Sequence, residues 1–268
     1  MANNKDNFGD RMKMYEQAEA GRMCLPLLPV LARLDGKCFR NFTKNLERPY
    51  DKRFSDLMVD TTKQLVDDSN ARLGYTQSDE INLVFYSDNS KSEIFFNGKI
   101  QKMVSVLASM TTAYFNQKVP DYLPDNTKLS LFDCRIWTVP TLVEAANAIL
   151  WREQDATKNS ISMAAQSVCS TKQLHGKSGS EQQEMLFIKG INWNDYPSFF
   201  KRGTFIQRKT VSMKFTDQEI DKLPPKHEAR TNPDLEIERS IIEIVDMPPF
   251  NQVVNRVEVI FEGEVPNE

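Results

Sequence analysis

An α+β fold is predicted for this chain: an antiparallel sheet with two helices on one face, followed by a helical and β-rich extension. Three observations predict it. Two segments space their apolar residues as one face of a helix does: Phe54, Leu57, Met58, Thr61 and Leu65, then Met103, Val106, Leu107, Met110 and Tyr114. Four short apolar runs surround these segments, and the middle two are separated only by the polar Gln77-Ser78-Asp79-Glu80. Beyond Pro140 the pattern changes to helix-rich sequence that runs to about Thr171.

Taken in order, the chain opens with a short charged helix, since no Gly or Pro interrupts Arg11 to Ala20. Pro26 and Pro29 bracket the entrance to a first strand, expected over Leu27 to Leu34 and ended by Asp35-Gly36. The first amphipathic helix follows Pro49-Tyr50-Asp51. Ala71 to Thr76 and Ile81 to Tyr86 then read as a hairpin with Gln77–Glu80 at its tip. After the second amphipathic helix, Phe132 to Val139 makes a fourth strand, stopped by Pro140. This β-α-β-β-α-β order is that of the ferredoxin-like split motif, which is also the palm of many polymerases and nucleotide cyclases. Residues 1–140 are therefore expected to form a palm core with an N-terminal helix, and residues 141–268 an extension packed on it. In the extension Thr141 suits a helix cap, and His175 to Glu181 is a loop or a helix start. Thr204 to Met213 and Ile237 to Val245 read as strands flanking a mobile-looking stretch around Pro224-Pro225-Lys226. The last few residues are expected to fray.

Composition narrows the function classes. At 268 residues with 40% hydrophobic and 26% charged residues, the chain reads as a globular enzyme rather than a disordered segment. No apolar run approaches the roughly 20 residues that cross a bilayer, and Met1 to Asp6 lacks the apolar core of a secretory signal, so no membrane partner and a cytoplasmic address are expected. A net charge of −3 excludes a generally basic nucleic-acid coat, and a polyanionic partner would need a local basic patch plus metal ions. Cys24, Cys38, Cys134 and Cys169 form no Cys-x-x-Cys pair and read as reduced, packed thiols rather than a zinc site. Neither a P-loop nor a Rossmann glycine fingerprint is present.

The palm order brings the end of the first strand beside the central hairpin, so Asp35 and Asp79 are candidate neighbours and catalytic residues. Magnesium takes one or two carboxylates plus substrate phosphates, which these two residues supply, and the Gly36 carbonyl can add a ligand. The opposing reading is a turn-capping Asp35 and a solvated Asp79. Glu80 either supports the same catalytic site from a bulge or is exposed or salt-bridged. Lys37 and Arg40 can contact phosphate, and Phe39 can stack on a base or sit in the core. Lys102 can reach a triphosphate or remain a surface lysine.

Arg33-Leu34-Asp35-Gly36-Lys37-Cys38-Phe39, Tyr75-Thr76-Gln77-Ser78-Asp79-Glu80-Ile81, Lys102-Met103 and Ala108-Ser109, read together, resemble the tRNA-histidine guanylyltransferase superfamily. Trp151 to Asp155, Asn159-Ser160 and Lys201 to Thr204 extend the resemblance over roughly residues 8–210. It implies a nucleotidyltransferase that extends tRNA 5′ ends in the 3′-to-5′ direction with two magnesium ions, using ATP, GTP and other nucleoside triphosphates. By the same resemblance Asp35, the Gly36 carbonyl and Asp79 hold metal. Asp35 to Arg40 (Gly36, Lys37, Cys38 and Phe39 between them), Ser78 and Asp79 cradle the nucleotide, with Asp51 and Lys102 at further nucleotide-contacting positions. Arg135, Arg152, Asn159, Lys201 and Arg202 are candidates for tRNA contact, since Arg, Lys and amide side chains take phosphate contacts. A homotetramer is implied as well, with tRNA contact and assembly assigned to residues 141–268.

Two departures set the branch. The eukaryotic histidine-tRNA enzymes carry His after their Gly-Arg-Asn-Phe, where this chain has Arg40. They also carry His-Ile-Asn-Asn-Leu-Tyr-Asn, where this chain reads Ala156-Thr157-Lys158-Asn159-Ser160-Ile161-Ser162. Both bring the chain closer to the Thg-like proteins, which imply template-dependent repair of truncated tRNA 5′ ends. Addition of a single 5′ guanosine, a palm nucleotide cyclase and a non-catalytic RNA-binding protein are the alternatives.

Overall fold

In the computed structural model, which describes residues 7–89, 91–232 and 234–268, six strands form one antiparallel sheet ordered β4-β1-β3-β2-β5-β6. The elements run α1 (Asn7–Ala20), β1 (Val30–Gly36), α2 (Phe39–Phe42), α3 (Lys52–Ser69), β2 (Leu73–Gln77), β3 (Glu80–Phe85), α4 (Ile100–Tyr122) and β4 (Phe132–Thr138). They continue as α5 (Leu142–Val168), α6 (Thr171–Leu174), α7 (Gly179–Ile188), α8 (Ser198–Arg202), β5 (Thr204–Lys214), α9 (Asp217–Lys222), β6 (Glu236–Val245) and α10 (Arg256–Glu262). The first four strands, with α3 and α4 between them, are the split motif that the sequence predicts. The reading of Met1 to Asp6 lies outside the described residues.

Strand alternation divides the core in two. Val30, Ala32 and Leu34 of β1, with Ile81, Leu83 and Phe85 of β3, pack against Leu57 and Leu65 of α3 and Met103, Leu107 and Phe115 of α4. The intervening Leu31 and Val84, with Leu73, Tyr75 and Phe205, face Ala146 and Ile149 of α5 and Val259 and Ile260 of α10. Thus β1 and β3 are buried on both faces, which is why their sequences are nearly continuous apolar runs. The second face was not legible: it is covered by elements that lie beyond residue 140. Elements from either side of that residue share one sheet, through the β2–β5 pairing, and one core.

Several boundaries differ from the sequence reading for physical reasons. The first strand begins at Val30, because Leu27 adopts φ 62° and is exposed within the turn that Pro26 and Pro29 frame. It also continues through Asp35 and Gly36 instead of stopping before them. Thr141 caps α5, and Ser178 with Glu181 forms a capping box on α7, so the polar His175 stretch is a helix entrance. The stretch around Pro224 folds into α9 and a short turn with Ala229 buried and His227 edge-on to Phe215. The final residues are tethered, as Asn267 pairs with Val254 and Asn255.

Candidate active site

The site stands where β1 and the β2–β3 hairpin end together. Asp35 lies directly opposite Glu80 on β3 and Asp133 on β4, and the three project on the α5 side of the sheet. Ser78 and Asp79 are the two residues of the hairpin turn, with Ser78 at φ 50°. Thr76 Oγ1 donates to the Glu80 carbonyl at 3.0 Å across that turn. The Gly36 amide donates to the Asp79 carbonyl at 3.1 Å, which ties the strand end to the turn. Ser78 Oγ donates to Asp79 Oδ1 at 3.0 Å and orients the carboxylate.

Gly36 is required by space. A Cβ there would lie 2.2 Å from the Phe39 ring, and that ring is packed among Phe42, Phe54, Phe115 and Phe132. Phe39 is therefore core, 5% exposed, and its ring is not free to stack on a base. Its anchorage folds the chain back after the strand, with Cys38 at φ 58° and the Lys37 amide bonded to the Leu131 carbonyl at 2.8 Å. Lys37, Cys38 and Arg40 are exposed around this turn.

Negative charge is concentrated here. Burial, then the like charges of Glu80 and Asp133, push the Asp35 carboxyl up, against the pull of Arg135 and Arg33. Burial likewise raises Asp79, with Asp35 and Glu80 adding to it and its hydrogen bonds opposing. Arg135 stands 3.9 Å from Asp35 Oδ2 and 3.5 Å from Asp133 Oδ1 at the exposed rim. Among the described residues no three His, Cys, Asp or Glu side chains converge as a metal cage. Two neighbouring carboxylates, only one of them approached by an arginine, and the Gly36 carbonyl offer oxygen ligands that fit magnesium, which completes its shell with water and substrate phosphate. Each cation bound there would relieve the repulsion that adds to the effect of burial on both carboxyls.

Other predicted residues fall elsewhere. Glu80, 7% exposed, accepts two hydrogen bonds from Arg152 at 2.7 Å each and one from Asn82 Nδ2 at 2.7 Å. Arg152 is thereby an internal residue rather than an RNA-facing one, and it also donates to Asp155 at 2.9 Å. Asp51 is the N-cap of α3, and its oxygens are taken by Arg53 and by the Glu47 amide. Lys102 is exposed near the start of α4, with its ammonium over Phe96. Midway along α4, the Thr112 hydroxyl accepts from the Phe132 amide at the start of β4, and Lys102 is about 15 Å back from Thr112 along the helix axis at 1.5 Å per residue.

The candidates for RNA contact are also distributed. Asn159 is exposed and donates to Asp155 at 3.3 Å. Lys201 bonds the Asn194 carbonyl and lies over Trp193. Arg202 approaches buried Glu153 at 3.9 Å, and its carbonyl accepts from the Tyr75 hydroxyl at 2.8 Å. Gly203 (φ 79°) presses against the Thr76 carbonyl, where a Cβ would come within 2.7 Å. The Lys201-Arg202-Gly203 stretch thus clamps β2. Sequence reasoning missed Asp133, and the alternation of Phe132-Asp133-Cys134-Arg135 was its only signal, since register placed it opposite Asp35.

Beside Ser78 a cleft with about 750 Å³ of open space is lined by Tyr50, Asp51, Phe199, Phe200, Ala156 and Met163, among others. Tyr50 packs against Phe199 and Phe200 with ring centroids 5.2 and 4.9 Å away. An aromatic, partly polar hollow of this kind suits a planar heterocycle.

A family model described as tRNAHis guanylyltransferase (Thg1) matches residues 9–140. A tRNA(His) guanylyltransferase of Neurospora crassa is 30% identical over 226 residues, spanning 78% of this chain and 74% of that protein. Among solved structures, a bacterial tRNA(His) guanylyltransferase (Thg1)-like protein in complex with ATP superposes with a TM-score of 0.71 at 41% identity, over 75% of this chain and 88% of that one. A GTP complex of such a bacterial protein gives a TM-score of 0.71 at 32% identity, over 92% of this chain and 94% of that one.

Proposed function

The chain belongs to the tRNA(His) guanylyltransferase family of nucleotidyltransferases, and on that premise we propose that it adds nucleotides to tRNA 5′ ends in the 3′-to-5′ direction, directed by a template, to restore truncated ends. The observation that carries the chemistry is the placement of Asp35 beside the Ser78-Asp79 turn, at the open end of the sheet. Bound relatives with ATP and with GTP support nucleoside triphosphates as substrates.

Asp35, Asp79 and the Gly36 carbonyl would hold two magnesium ions, which supply charge neutralisation to the phosphates and a lowered pKa to an attacking hydroxyl. The chain's own groups do the positioning. The exposed turn from Gly36 into α2 comes directly after the Asp35 strand end, so it suits the phosphate oxygens. Lys37 and Arg40 add charge at that turn, and the aromatic cleft beside Ser78 takes the base. Arg135, at the rim, meets the 5′ phosphate of the RNA. The 5′ phosphate first attacks the α-phosphate of ATP or GTP and displaces pyrophosphate. The 3′-hydroxyl of the incoming nucleotide then attacks the tRNA phosphorus of that anhydride, forming the new P–O bond as the activating nucleotide leaves as its monophosphate. In a further addition the 3′-hydroxyl attacks the 5′ triphosphate so formed, and pyrophosphate leaves.

Template direction is supported by Arg40, which stands where histidine-tRNA enzymes carry His, and by Asp51. The Asp51 carboxylate in the cleft wall is bonded to Arg53 and Glu47, so it is not free to select a guanine edge. The second reading, addition of a single guanosine to tRNA(His), is favoured by the activity named for the Neurospora relative. Incubation with 5′-phosphorylated tRNAs lacking one or two 5′ nucleotides, with magnesium, ATP and all four triphosphates, tests the proposal. Extension back to full length is expected, and absence of any 5′ lengthening, while a bacterial relative succeeds alongside, would refute it.

A further inference from the structure

We infer that Arg152 is a positioning residue for the metal-binding pair, acting through Glu80 instead of contacting RNA. The inference rests on the reading of Asp35 and Asp79 as metal ligands. Glu80 is the residue between them: it comes after Asp79 in the chain and opposes Asp35 across the β1–β3 ladder. A third free carboxylate at that point would compete for cations and repel its neighbours. The guanidinium of Arg152 prevents this with a two-pronged contact, Nε to Oε1 and Nη2 to Oε2, both at 2.7 Å. A planar fork matches a carboxylate in this way and a lysine cannot.

The fork is itself held. Nη2 also donates to Asp155 Oδ2 at 2.9 Å, and the Trp151 ring lies 4.6 Å from the guanidinium carbon. Asn82 donates to the same Glu80 oxygen as Arg152 Nε, at 2.7 Å, so the carboxylate is fixed from two elements. Arg152 is 7% exposed, which leaves it no surface for an RNA phosphate. It comes from α5, so the extension beyond residue 140 holds the strand that follows the palm's acidic turn through this contact. Groups outside the ligand set that hold a metal site's geometry commonly alter affinity by about 10–100-fold when lost, and the fork acts on the residue next to Asp79 and opposite Asp35.

The test is Arg152→Lys, which keeps the charge and loses the fork, measured by Mn2+ calorimetry on full-length protein in the presence of ATP. Mn2+ binding is expected to weaken about tenfold or more, with the Kd for tRNA, taken in a magnesium-free buffer, within about twofold of wild type. Should the variant fold poorly, Arg152→Gln, which keeps one donor beside Glu80 and leaves its carboxylate without the fork, is read in the same way. The inference is overturned if tRNA affinity falls while Mn2+ binding holds, or if thermal stability alone changes. Wild-type protein that binds no Mn2+ with ATP would instead refute the metal reading of Asp35 and Asp79, an outcome separate from either.

Discussion

Asp35 and Asp79 carry charge that the fold offsets only in part, through Arg135 beside Asp35. Burial raises both carboxyls; Glu80 and Asp133 add to it at Asp35, and Asp35 and Glu80 at Asp79. Between the ordinary carboxylate pKa and these raised values, the folded protein holds more protons than the unfolded chain. Metal-free stability is therefore greatest below that window and falls as pH rises through it. Thermal melts from pH 4 to pH 7 in a chelator are expected to show this decline, and magnesium with ATP should reverse it at pH 7. Asp79→Asn should melt about 2–4 °C higher than wild type in the chelator at pH 7, gain little from magnesium, and lose about 1000-fold or more in nucleotide addition. Retained tRNA binding by filter assay would show that the loss is chemical. The meeting of Asp35 with the hairpin turn was legible in the sequence because the order of the elements brings the end of the first strand beside the central hairpin. The Arg152–Glu80 pair and Asp133 were not, because contacts across 72 residues and strand register depend on pairing that no local spacing encodes.

At the scale of elements, the turn from β1 into α2 shows how core packing builds the site. Phe39 holds the turn by its ring and Gly36 leaves room for that ring. Phe39→Ala is expected to cost about 3–5 kcal/mol of stability, as large buried aromatics do, in urea unfolding. If Phe39 served nucleotide stacking instead, ATP affinity would fall with stability unchanged. Gly36→Ala should cost about 1–3 kcal/mol by overpacking, and should weaken nucleotide binding because the shifted ring moves the turn that carries Lys37 and Arg40. Helical periodicity made α3 and α4 legible, since each buries one stripe against the sheet. The start of β1 was misread because Pro26 and Pro29 enclose apolar residues in a turn, and apolar content alone does not separate a turn from a strand.

On the scale of the whole molecule, one sheet joins the palm to the C-terminal extension. β5 and β6 continue the palm strands beyond β2, while α5 and α10 close the second face. The six-stranded sheet was only half legible, because the two late strands were recognisable as strands but their docking on β2 was not. That docking brings the Lys201-Arg202-Gly203 clamp and the Arg152 fork against the hairpin that carries Asp79. The extension thus helps to hold the hairpin that carries Asp79. The central claim is template-directed addition, and one measurement tests it most directly. A 5′-phosphorylated tRNA lacking its first nucleotide is prepared with each of the four bases at the opposing position of the 3′ strand, and the nucleotide added at the 5′ end is identified by sequencing. The account predicts that the added base is the complement of the opposing one in all four substrates. Guanosine added irrespective of the opposing base would contradict it.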